Sequence, residues 1–130
     1  MSRVFDSNTL IYYLNAALPP GARAFVERTI EEESHISVIT RIEVLGWPGH
    51  TDEPYGRARD FLARLTEQPL AWDIADFTIS LRRERRIRTP DAIIAATAVY
   101  LGLPLITRNT ADFDWIPGLG LINPFETPAT

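Results

Sequence analysis

The sequence predicts an α/β fold, a central parallel sheet covered by helices on both faces. Three observations lead there. Short runs with strand character alternate along the chain with stretches of helical periodicity. One of the helical stretches, 89–101, is apolar nearly all round and therefore belongs at the centre of the domain. A chain of 130 residues closes one core of this kind and is too short for two, so a single domain spanning 1–130 is expected.

The elements follow in order. Val4-Phe5 reads as a short strand ending at Asp6, followed by a helix from about Thr9 to Asn15 that Pro19-Pro20 breaks. Ala22 to Glu33 is amphipathic, with Phe25, Val26 and Ile30 inward, and His35 to Ile39 alternates as a strand. Thr40 opens a short helix through Leu45, stopped by Gly46-Trp47-Pro48-Gly49. After a polar loop at Thr51 to Glu53, Tyr55, Ala58, Phe61, Leu62 and Leu65 recur at helical spacing. Leu70 to Trp72 is expected as the third strand and Ile74 to Arg86 as a helix. Thr89-Pro90 starts the buried helix, which Gly102 closes. Leu105 to Thr107 is the next strand, Asn109 to Trp115 a turn or single helical turn, and Leu119 to Ile122 a last extended segment. A loose tail is expected from about Pro124.

Composition narrows the chemistry. Cysteine is absent, which removes disulfides, thiol nucleophiles and thiolate metal sites together. Every basic side chain is an arginine; without lysine there is no Schiff base and no P-loop amine. A formal net charge of −4 argues against a protein that coats nucleic acid, so any RNA must be held by a local arginine patch or by bound cations. No run approaches the ~20 apolar residues of a membrane span, and no leader pattern precedes Asp6. A cytoplasmic protein without membrane contact is expected.

Four acids fall where an α/β sheet binds its ligands, beyond the carboxyl ends of the strands. Asp6 ends the first strand, Glu43 follows the second, Asp91 heads the buried helix, and Asp112 follows the strand at 105–107. A plainer reading stands beside each. Thr40-Arg41-Ile42-Glu43 matches a capping box, Asp91 suits the positive end of a helix dipole, and Asp6 and Asp112 suit caps. As a set the acids are harder to explain so. Two carboxylates ~5 Å apart repel by about 3 kcal/mol at an effective dielectric near 20, and four together need a cation. With only His35 and His50, neither in a position that suggests a role, the donors are hard oxygens, which select Mg²⁺ or Mn²⁺. Such a site suits phosphoryl chemistry.

Several segments in order resemble the PIN domains, and among them the VapC toxins of type II toxin–antitoxin systems. They are Val4-Phe5-Asp6-Ser7-Asn8-Thr9-Leu10-Ile11, Ile39-Thr40-Arg41-Ile42-Glu43-Val44-Leu45-Gly46, Thr89-Pro90-Asp91-Ala92-Ile93-Ile94-Ala95-Ala96-Thr97-Ala98 and Leu105-Ile106-Thr107-Arg108-Asn109-Thr110-Ala111-Asp112-Phe113, then Pro117-Gly118-Leu119 and Ile122-Asn123-Pro124. Together they span almost the whole chain. The resemblance implies a three-layer α/β/α domain that cleaves single-stranded or loop RNA with Mg²⁺ or Mn²⁺. It implies Asp6 and Asp91 as principal metal ligands, Glu43 and Asp112 completing the catalytic set, and Asn8, Thr107 and Asn109 in support, with Asp114 a rival to Asp112. It also implies a homodimer and a cognate antitoxin lying across the active-site groove. Tyr12, Tyr13 and Trp47 are candidates for contact with that partner, core packing being the other role open to the tyrosines. Arg82, Arg83, Arg85, Arg86 and Arg88 could grip RNA phosphates or antitoxin acids, or form a solvated face partly paired with Glu84.

Two other classes remain in view. A non-catalytic PIN-like module would bind RNA or a protein without chemistry; convergence of the four acids discriminates against it. A metal-dependent phosphatase with an aspartate nucleophile needs a second acid two residues on, where this chain has Asn8. A receiver domain fails on the missing lysine.

Overall fold

The computed structural model describes residues 2–126. Its five strands form one sheet in the order β3-β2-β1-β4-β5, all parallel. They are β1 (Arg3–Phe5), β2 (Ser34–Ser37), β3 (Thr66–Gln68), β4 (Leu105–Ile106) and β5 (Leu121–Ile122). Six α-helices are described: α1 (Ser7–Leu14), α2 (Pro20–Glu31), α3 (Val38–Leu45), α4 (Asp52–Leu62), α5 (Trp72–Glu84) and α6 (Thr89–Leu101). None is long and apolar enough to cross a membrane.

Strand alternation sorts the core into two layers. Val4 and Leu105 turn to one face, where they pack with Ile74 and Leu81 of α5 and with Ala92, Ile94 and Ala98 of α6. Phe5, Ile36 and Ile106 turn to the other, against Leu10, Val26, Ala58 and Phe61 from α1, α2 and α4. This is the three-layer α/β/α arrangement. Helix α6 is the expected buried helix: Ala92 through Ala98 are all buried. It ends at Gly102, whose φ of 68° is the left-handed conformation that glycine adopts without a Cβ clash.

Two boundaries differ from expectation in ways that matter. The third strand is Thr66–Gln68, not Leu70 to Trp72; Leu70 is exposed, and Trp72 is 85% exposed and opens α5. β3 lies at the sheet edge with one strand neighbour, so a polar Thr-Glu-Gln segment can form it. The apolar Leu-Ala-Trp run attracted the strand reading instead. Helix α3 begins at Val38, not Thr40, because Ser37 caps it by accepting from the Ile39 N–H at 3.1 Å. Pro20, expected only to break a helix, occupies the first turn of α2. At the C-terminus Pro124 is buried, and Arg108 stacks over the Phe125 ring at 4.3 Å. The rest of the expected loose tail, 127–130, lies outside the described residues.

Candidate active site

The strand order reverses direction between β1 and β4, and that switch point opens a crevice at their carboxyl ends. Asp6 follows β1 directly and is buried, 6% exposed. One of its oxygens, Oδ1, accepts from the Thr9 N–H at 2.8 Å, so the residue does cap α1. The side chain also takes a hydrogen bond from Thr107, which follows β4 and is itself fully buried. The Asn109 N–H donates to Thr107 Oγ1 at 3.1 Å, which anchors that hydroxyl. Capping is therefore real at Asp6 but occupies only part of its carboxylate.

Glu43 is different. With α3 capped by Ser37, Glu43 lies well inside the helix and is no part of a capping box, which corrects the plainer reading of that residue. Its Oε1 accepts from Ser7 Oγ at 2.7 Å, and the Thr40 hydroxyl lies 3.1 Å from the same Ser7 oxygen. Ser7 was not singled out in the sequence. The one trace of it there was a hydroxyl placed directly after the strand-ending acid; its partner stands 36 positions away.

Asp91 occupies the first turn of α6, half-buried. A small cleft of about 30 Å³ is lined by Asp6, Ser7, Asn8, Glu43, Arg88, Asp91 and Ile94. Asp112, in a single 3₁₀ turn (Thr110–Asp112), is exposed and does not line that cleft, yet its charge reaches Asp91. Burial raises the Asp91 carboxyl above the ordinary range near 3.8; Glu43, Asp6 and Asp112 push the same way, and Arg88 opposes them. Burial likewise raises Asp6, with a contribution from Glu43 and against the bonds from Thr107 and Thr9. Asp91 thus feels the charge of Glu43, Asp6 and Asp112 together. Trp115 holds this turn: its Nε1–H donates to the Asp112 carbonyl at 2.9 Å, and Arg85 stacks over its ring at 5.0 Å.

Among the described residues no three Asp, Glu or His side chains are gathered tightly enough to chelate an ion unaided. The donor set nonetheless fits Mg²⁺ or Mn²⁺. Hard-oxygen ions of this size keep several waters and bind through one or two carboxylates, and Asp6, Glu43 and Asp91 line one cleft with Arg88 as its one cation, three acids against one base. Neither histidine joins in: His50 Nε2 bonds the Val44 carbonyl at 2.8 Å, and His35 faces Glu33 at 3.6 Å. Of the arginine cluster only Arg88 lines the cleft. Asn8 also lines it, whereas Asn109 contributes through its backbone.

Comparison with known proteins agrees with this architecture. Curated protein sequences yield no significant match. A chain of a toxin–antitoxin complex from Klebsiella pneumoniae is 35% identical over 96% of this chain and 99% of its own, with a TM-score of 0.78. VapBC of Salmonella typhimurium bound to DNA (24% identity, 95% and 99% covered, TM-score 0.80) and VapBC2 of Rickettsia felis bound to a promoter fragment (24%, 95% and 98%, 0.79) share the fold. The sequence profile of the PIN domain matches residues 3–118, and with that coverage the chain belongs to the PIN domain family.

Proposed function

We propose that this chain is a Mg²⁺- or Mn²⁺-dependent endoribonuclease, the toxin of a toxin–antitoxin pair, acting on single-stranded or loop RNA. The observation that carries the reading is the cleft at the β1/β4 switch point, where Asp6, Glu43 and Asp91 line one hollow and Asp112 adds its charge. The 35%-identical relative, described as part of a toxin–antitoxin complex, supports the toxin role.

Hydrolysis adds a water oxygen to phosphorus, breaks the bond to the leaving ribose oxygen, and passes a proton to that oxygen. A bound divalent ion supplies charge neutralisation at the phosphate and lowers the pKa of water. Asp6 and Asp91 would hold it, with Glu43 and Asp112 as further acidic groups that bind its waters or accept a proton. Thr107 and Ser7 fix the orientation of Asp6 and Glu43 by direct hydrogen bonds. Antitoxin binding belongs to the same reading. An apolar hollow of about 180 Å³ lies between α1 and α3, lined by Ile11, Leu14, Asn15, Val44, Trp47 and His50. Trp47 is 57% exposed there. Tyr12 is exposed, whereas Tyr13 packs against Phe61 with ring centroids 5.5 Å apart. A homodimer completes the proposal.

The test is antitoxin-free protein incubated with structured RNAs, with Mn²⁺ and with excess chelator. Metal-dependent cleavage is expected; equal RNA integrity in both arms would sink the nuclease reading in favour of a binding module. Two finer outcomes follow from the supporting bonds. Thr107→Val removes a donor to Asp6 and should cost about 10–100-fold in activity or metal affinity, read as a rightward shift of the Mn²⁺ activation curve. Ser7→Ala leaves Glu43 without its hydroxyl donor and should destabilise the fold by about 1–3 kcal/mol, read by denaturant melts.

A further inference from the structure

On the nuclease reading just given, we infer that Arg88 receives the RNA phosphate at the point of cleavage, separately from the other arginines of its cluster. Arg88 is the only basic residue among those lining the acid cleft. Its charge favours the neighbouring Asp91 carboxylate, but its position gives it no role in the helix. It is the N-cap of α6, where it makes no side-chain cap, where Ser, Thr, Asp or Asn would stabilise the helix, and where a cation opposes the positive end of the dipole. No carboxylate pairs with it among the described ion pairs. Arg88 is an exposed residue at the rim of that cleft.

The neighbouring arginines are occupied or lie elsewhere. Arg85 is stacked on Trp115 and Arg108 on Phe125. Arg82 and Arg83, in the last turn of α5, and Arg86, just beyond it, lie outside the cleft lining. Charge balance then gives Arg88 a task. Four carboxylates outweigh one divalent ion, so an approaching phosphodiester meets net negative charge. A guanidinium at the rim offsets that charge, and its planar fork matches two phosphate oxygens. The contact strengthens as charge accumulates on those oxygens in the transition state.

The experiment compares Arg88→Gln and Arg88→Lys with wild type and with Arg64→Gln, a surface control at the end of α4. Total tRNA and ribosomal RNA serve as substrates in Mn²⁺. Arg88→Gln is expected to lower kcat/KM by about 10²-fold, Arg88→Lys to recover part of it, and Arg64→Gln to match wild type. The Mn²⁺ concentration for half-maximal activity should stay the same or fall, since a cation has left the site. A second arm does not depend on cleavage. In the Asp91→Asn background, binding of a labelled single-stranded RNA is measured against salt, and adding Arg88→Gln should flatten the log–log slope by about 0.7, one phosphate contact. Wild-type kcat/KM together with an unchanged salt slope in Arg88→Gln would overturn the inference while leaving the nuclease reading intact. So would activity fully restored by excess Mn²⁺, which would limit Arg88 to orienting the metal-binding acids through its charge on Asp91, or wild-type cleavage with lost inhibition by antitoxin, which would assign it to the protein partner. Failure of wild type to cleave any RNA counts against the nuclease reading, and the binding arm still decides the phosphate contact.

Discussion

Replacing Asp91 by asparagine is expected to lower metal-dependent RNA cleavage by about 10³-fold with little change in stability. Asn has the same size, and Asp91 sits half-buried in the first turn of α6. Losing an acid there sacrifices a favourable dipole interaction of roughly 0.3–1 kcal/mol. The same change relieves repulsion from Glu43, Asp6 and Asp112, so the two effects oppose each other. Cleavage of total RNA and a thermal melt of the same preparation check both halves. Retained cleavage, or a collapsed melt, would contradict the account.

Asp6→Asn gives a second large effect, on stability. Asn caps α1 as well as Asp does, and its amide still meets Thr9 and Thr107. What disappears is a buried charge. The Asp6 carboxyl is raised in the fold, chiefly by burial, above its ordinary value near 3.8. The cost of that charge is therefore absent below the unfolded value, grows as pH rises, and is complete above the raised folded value. At neutral pH without metal the variant should melt at or above the wild type. Wild type, by contrast, should gain about 2.7 kcal/mol from metal at a hundred times its Kd, or roughly 10 °C, and the variant should lose most of that gain. A metal-free variant several degrees less stable than wild type would show that Asp6 serves the fold first.

Much of this was legible in the chain. Alternation at Val4-Phe5 and Leu105-Ile106, together with the all-apolar face of α6, carries the three-layer fold, because each is a local pattern that burial enforces. Asp6, Glu43 and Asp91 were legible as acids beyond strand ends, and they do line one cleft. What could not be read depends on distant partners. Thr40 and Glu43 have capping-box spacing, but Ser37 caps the helix earlier, and Glu43 is left to pair with Ser7 from another element. β3 escaped because an edge strand with one neighbour needs no apolar alternation. Which member of the arginine run enters the cleft depends on how α5 turns into α6, which charge spacing alone does not reveal.

On the proposed nuclease reading, Asp6 and Asp91 hold a divalent ion between them at the β1/β4 crevice. Calorimetric titration of Mn²⁺ into wild type and into the Asp6→Asn, Asp91→Asn double variant tests it most directly. Saturable binding by the wild type and none by a folded double variant over the same range is the expected result. Equal binding by both proteins would place the ion elsewhere, and the reading of these acids as one metal centre would be wrong.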